Sequence, residues 1–188
     1  MNPSAFACAL ALLAPGLAKP ATAADRDFWY VGKDVEGMTF AFFDAATLED
    51  APEKHRIGVV TWVFAGDAVT AKDGKTQLRT YDFDCTDRQI SLRARVAYAA
   101  DGHVVDSSVP NAAAPFQPVE AYAISSGMLD FACSAPSTRG TGAYVSMHLG
   151  NVDPQQEGDL LYLVFRHHQT HPRPQRPGPR ARTSQPAQ

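Results

Sequence analysis

No apolar run in this 188-residue chain approaches the ~20 residues that a membrane-spanning helix needs, so nothing in it predicts a transmembrane segment. Nor is there a basic face. Residues 24–166 hold 12 Lys and Arg against 20 Asp and Glu, a net charge of −8 that excludes nucleic acid as a partner of that part. A Gly-rich phosphate cradle and a nucleophile elbow are missing; Gly140-Thr141-Gly142 is too short for the first. No EF-hand spacing and no internal repeat is present. Cysteine is scarce, with only Cys8, Cys85 and Cys133. These absences leave no catalytic constellation, imply no cofactor, and point to a non-enzymatic protein.

What is present begins with an export signal. Residues 5–14 (AFACALALLA) match the length of a signal h-region, Pro15 and Gly16 break it, and Ala21-Thr22-Ala23 offers small residues to a peptidase. Residues 1–23 are thus expected to leave, although the n-region lacks Lys and Arg; a disordered Ala-rich tail is the alternative. Cleavage removes Cys8 and leaves an even count. In an oxidising compartment Cys85 and Cys133 are then expected to form a disulfide, with two buried free thiols as the alternative. A disulfide would also remove the nucleophile that a Cys-His hydrolase needs.

From Phe28 the pattern is short runs with the period-two alternation of strands. Phe28–Val31, Met38–Phe43, Ile57–Phe64, Gln77–Cys85, Gln89–Tyr98 and His103–Ser107 predict an α+β, mainly β fold with one antiparallel sheet of about six strands. Asp73-Gly74 and Asp101-Gly102 supply turns. In Gln89–Tyr98, Ile90, Leu92, Ala94, Val96 and Tyr98 are expected on one face, with Ser91, Arg93 and Arg95 on a wet one. Ser125–Cys133 changes period and predicts a short helix, capped by Ser125 or Ser126 and tied to the sheet through Cys133.

Residues 134–166 read as an extension, with a linker at 134–142 and strands at Ala143–Leu149 and Leu160–Arg166. Residues 167–188 carry four Arg and no acid, are rich in Pro, and are expected to be disordered. His167, His168 and His171 could bind a transition metal, but no carboxylate or cysteine lies nearby, which favours a solvated tail. Asp82 and Asp84 share a strand face, where they either repel one another or pair with Arg93 or Arg95 across the strands. The runs at Met38–Phe43 and Ile57–Phe64 are apolar on both faces, so something beyond one short helix must cover the sheet. A second copy would do so as a face-to-face homodimer; residues 143–166 are the in-chain alternative.

The order of motifs resembles the surface-adhesin protein E family. It runs from Trp29 and Trp62 through Tyr81-Asp82-Phe83-Asp84-Cys85 with Arg88 to Tyr98 and Gly102–Ser107. It continues with Phe116-Gln117-Pro118-Val119 and closes on Ser125–Cys133. The resemblance covers about residues 28–133 and makes residues 24–133 the family-like domain. It implies an antiparallel sheet, a C-terminal helix held by a Cys85–Cys133 disulfide, sheet-to-sheet dimerisation, and a cell-envelope or surface module with a protein ligand. The family's lysine-rich binding stretch has no counterpart here; Lys72 and Lys75 merely flank a turn. A second expectation is a periplasmic accessory module that binds a small ligand or metal.

Overall fold

The computed structural model describes residues 26–34, 36, 38–141 and 146–170. Cleavage after residue 23 and most of the tail lie outside the described residues. Strands β1 (Phe28–Lys33), β2 (Thr39–Asp50), β3 (His55–Phe64), β4 (Thr76–Asp84), β5 (Gln89–Tyr98) and β6 (Val104–Ser107) come first. Then follow β7 (Gln117–Pro118), helix α1 (Ile124–Cys133), β8 (Met147–Gly150) and helix α2 (Pro154–Thr170). The strands form one sheet in the order β6-β5-β4-β3-β2-β1-β8, with β7 paired to β5, and every pairing is antiparallel. Mainly β and single-sheeted, the fold is the expected one, with eight described strands instead of about six. The two-residue β7 is an addition, and the edge strand β8 comes from the extension, where a strand was expected.

Helix α1 covers one face of the sheet. Ala41, Phe43, Val60, Tyr81 and Phe83 pack there against Met128, Leu129, Phe131 and Ala132. The helix lies so near the strands that a Cβ on Gly127 would stand 2.4 Å from the Val31 carbonyl oxygen. Residue Ala123 occupies its N-cap without a side-chain hydrogen bond, so neither Ser125 nor Ser126 caps it; both lie inside the helix. Its last residue is bonded to Cys85, just beyond β4, with a Cα–Cα distance of 5.5 Å across a 48-residue separation.

The opposite face is covered by α2, which corrects two expectations. Leu160–Arg166 is helix rather than strand, and residues 167–170 continue that helix rather than a disordered tail. Phe28, Phe40, Phe42 and Val63 are buried beneath Leu161, Tyr162 and Phe165, and the Phe40 and Phe165 rings stack with centroids 6.1 Å apart. Apolar residues on both faces of β2 and β3 thus have an in-chain explanation, and the uncovered face that motivated a homodimer is occupied. Asp153 starts the helix: its Oδ1 accepts from the Gln155 N–H at 2.9 Å, with Pro154 at the first helical position, where its missing N–H costs nothing. The expected strand over Ala143–Leu149 is observed as Met147–Gly150, with residues 142–145 outside the described set.

Strand β5 departs from its alternation. Thr80 lies opposite Ala94 and Tyr81 opposite Leu92, so Arg93 is an extra residue in the ladder. Such a bulge exchanges the faces of the residues on either side of it. Ser91, expected to be wet, is 1% exposed, whereas Leu92 is 42% exposed. The Asp73-Gly74 turn is held by geometry as well as propensity. Gly74 has φ +70°, and a Cβ there would lie 2.4 Å from the Tyr98 carbonyl oxygen.

Candidate functional site

On the face of the sheet that carries α2, a recess of about 580 Å³ opens over the ends of β3, β4 and β5. Its floor comes from strand alternation: Ile57 pairs with Asp82, which pairs with Ser91, and His55 pairs with Asp84 one step away. The Arg93 bulge adds a long cationic side chain to this floor. One wall is the turn at Pro52–Lys54, where Glu53 holds φ 60°. The other is the segment between β6 and β7, which contributes Pro110, Asn111, Ala112 and Phe116.

That second wall is strapped along β5 rather than left loose. Ser108 N–H donates to the Arg95 carbonyl at 2.8 Å, and Asn111 N–H donates to the Arg93 carbonyl at 2.8 Å. Ser91 Oγ donates to the Ala114 carbonyl at 2.8 Å. Strand β7 then pairs Gln117 with Ile90 and Pro118 with Gln89. Phe116 is thereby set over the recess, edge-on to the His55 ring at 5.0 Å between centroids and 5.9 Å from the Arg93 guanidinium carbon.

The charges form one connected group. Arg93 Nη2 donates to Asp82 Oδ2 in a salt bridge whose carboxylate is 4% exposed and whose guanidinium side chain is 19% exposed. His55 Nδ1 lies 3.4 Å from Asp82 Oδ1, and its Nε2 lies 3.7 Å from Asp84 Oδ2. Of the two arrangements open for the paired aspartates, Asp82 takes the cross-strand pair with Arg93. Arg95 instead pairs with Asp106 and lies 3.6 Å from Asp73. Even so, Asp82 Oδ1 and Arg93 Nε make no hydrogen bond among the described residues. Both atoms are buried, and Asp82 Oδ1 keeps the His55 ring nitrogen at 3.4 Å as its ion-pair neighbour.

Chemically the recess offers an apolar chamber with a charged floor. Ile57, Pro110, Ala112 and Phe116 supply the apolar surface, and Asp82, Arg93 and His55 the orientation. With Asp82, Asp84 and Glu53 against Arg93, the charge there favours a cationic or donor-bearing ligand over an anion. A second cleft, of about 300 Å³, lies beside α1 between Arg88, Asp130 and Arg139. Its charged groups are largely used within the protein: Arg88 pairs with Asp130 at 2.9 Å, and the Arg139 guanidinium lies over the Phe131 ring at 4.8 Å. Burial, followed by the nearby Arg56 charge, holds Arg139 below the ordinary arginine value.

The cysteines join as expected from the sequence. His167 and His168 occupy the exposed last turn of α2, whereas His171 lies outside the described residues. Their rings lie edge-on to one another with centroids 6.2 Å apart. Among the described residues no group of three or more His, Cys, Asp and Glu side chains could hold a metal ion. Sequence reasoning missed His55 and Phe116 as site residues. The signal for Phe116 lay in its position, an aromatic residue held between Pro115 and Pro118 in a stretch otherwise made of small residues. His55 had no local signal, because Asp82 is 27 residues away and meets it only through sheet register.

Compared with protein-family models, with curated proteins and with solved structures, the chain matches none of them.

Proposed function

We propose that this chain is an exported, non-enzymatic binding protein of the cell envelope or surface, of the adhesin E type, and that the recess beneath Phe116 is where it takes its ligand. One observation carries the proposal. A buried Asp82–Arg93 salt bridge, flanked by His55, lies at the floor of a largely apolar chamber whose wall is strapped in place. Small-ligand and side-chain pockets have this make-up, mostly apolar with a few convergent polar groups. The secretion signal, the disulfide and the resemblance in motif order support the envelope part of the reading.

The ligand that fits is a compact apolar body ending in a cation or hydrogen-bond donor. It would be carried on a protein partner in the adhesin reading, or free as a small molecule in the accessory-module reading. The second is favoured by one feature: the recess is concave, whereas a protein partner also needs a broad flat surface around its anchor. Wild-type protein and Phe116→Ala, immobilised side by side and exposed to envelope fractions and to host matrix proteins, test the two. A protein retained by wild type and lost with Phe116→Ala supports the adhesin form. Retention that is identical for both proteins would rule the recess out as its site.

A further inference from the structure

The cleft beside α1 is not absorbed by that reading. Gly127, Phe131, Thr138 and Arg139 line its volume of about 300 Å³, together with the Arg88–Asp130 pair. That is the lower end of the size range of small-molecule pockets. Arg139 is brought there by a single turn at Pro136–Thr138, just beyond the disulfide. The Thr138 N–H and Oγ1 both donate to the Ala135 carbonyl, at 2.9 and 3.0 Å, and so fix the turn. Lying over the Phe131 ring at 4.8 Å, the guanidinium uses its flat face and keeps its fork of N–H donors.

Those donors have no partner within the protein. Among the described residues Arg139 makes no hydrogen bond and no salt bridge, and its Nε is buried. The charges around it are engaged elsewhere. Arg88 holds Asp130 at 2.9 Å, Arg56 lies 3.0 Å from Asp50, and Asp27 is 2.7 Å from His148 Nε2. Nor does Arg139 serve as the cap of α1. The Ser134 N–H closes the last turn onto the Asp130 and Phe131 carbonyls, and Arg56 Nη1 donates to the Ala132 carbonyl at 2.6 Å. Burial, and then the Arg56 charge, act against the cationic form of Arg139. An anion in the cleft would offset both.

We infer that the cleft between α1 and the Pro136–Thr138 turn binds a carboxylate through the Arg139 guanidinium. The planar fork matches a carboxylate with two parallel hydrogen bonds. One unpaired cation beside Asp130, in an otherwise acidic domain, suits a single negative charge better than a phosphate dianion. A small free acid and the carboxylate end of a peptide share this chemistry. The site is separate from the recess beneath Phe116 and stands or falls without it.

Titration followed by amide and arginine Nε–H chemical shifts tests the inference. The probes are benzoate, uncharged benzyl alcohol as its control, and N-acetyl-trialanine with a free or an amidated end. Both free acids should give saturable shifts at Gly127, Phe131, Thr138 and the Arg139 Nε–H, and benzyl alcohol none. Tighter binding of the peptide acid assigns the site to a chain end, and tighter binding of benzoate to a free small acid; either supports the inference. Arg139→Gln should weaken binding by roughly tenfold or more. Asp130→Asn, which releases Arg88, should tighten it, and this second variant keeps the test open if the first does not fold. Far-ultraviolet dichroism reads the fold of each. The inference is overturned by an absence of saturable shifts with both acids, or by an equal response to benzyl alcohol. Shifts centred on Phe116, unchanged affinity in folded Arg139→Gln, or no tightening in Asp130→Asn would overturn it as well.

Discussion

Arg93 owes its place to being one residue too many. The extra position in β5 turns its guanidinium onto the recess floor, where it meets a carboxylate that is almost wholly removed from water. Removing one member of such a pair leaves a buried charge without compensation, which costs about 3–5 kcal/mol, whereas removing both costs far less. Arg93→Met should therefore destabilise the protein by about that amount in urea unfolding, and the double change Arg93→Met/Asp82→Leu should recover much of it. Equal losses in the single and double variants would mean that the pair is not coupled. At a second residue, burial and then the Asp34 charge push the Tyr30 phenol up to about 12. The folded state therefore holds this proton more tightly than the unfolded chain, whose tyrosine titrates near 10. The stabilisation from Tyr30 is whole below pH ~10 and is lost as pH rises toward 12. Equilibrium unfolding of wild type and Tyr30→Phe across that window should show a steeper alkaline decline for wild type.

Among the elements, α2 shows how a local signal can be outweighed. Leu160–Arg166 is a compact apolar run, and periodicity alone does not separate a buried strand from a helix over seven residues. The deciding residues lie upstream, where Asp153-Pro154 with Glu157 is a helix start. Asp153→Ala should cost about 1 kcal/mol in denaturant unfolding through loss of the cap on the Gln155 N–H. No change would mean that packing of Tyr162 and Phe165 alone holds the first turn. Strands β1 to β6 and α1 were legible because each carries its own alternation or its own stripe. The bulge in β5 was not, since an extra residue reveals itself only against the partner strand. The recess was half legible for the same reason. Asp82, Asp84 and Arg93 stood out as charges within strands, while His55 and Phe116 joined them only once sheet register and the β5 strap were set.

At the scale of the whole molecule, the sheet lies between two helices that are secured differently. Helix α2 is held by packing and by the Lys75–Asp159 salt bridge, whereas α1 is fixed covalently to the end of β4. Closing a loop of that length stabilises a fold by roughly 4 kcal/mol in the chain-entropy account. Cys85→Ser/Cys133→Ser should lower unfolding free energy by about that much, read from denaturant midpoints; a loss below about 1 kcal/mol would make α1 self-sufficient. The disulfide lies beside the candidate site as well, since residues Ala51 and His55 line both the recess and a shallower cleft that includes Cys85 and Cys133. The clamp thus holds the end of the sheet on which the candidate recess is built. Chemical-shift mapping with benzylamine, an aromatic ring carrying an ammonium group, tests that chamber most directly. A functional recess predicts saturable shifts confined to residues such as Ile57, Thr80, Ala112 and Phe116, and their loss in Phe116→Ala. Shifts scattered over the surface, or unchanged in that variant, would contradict it.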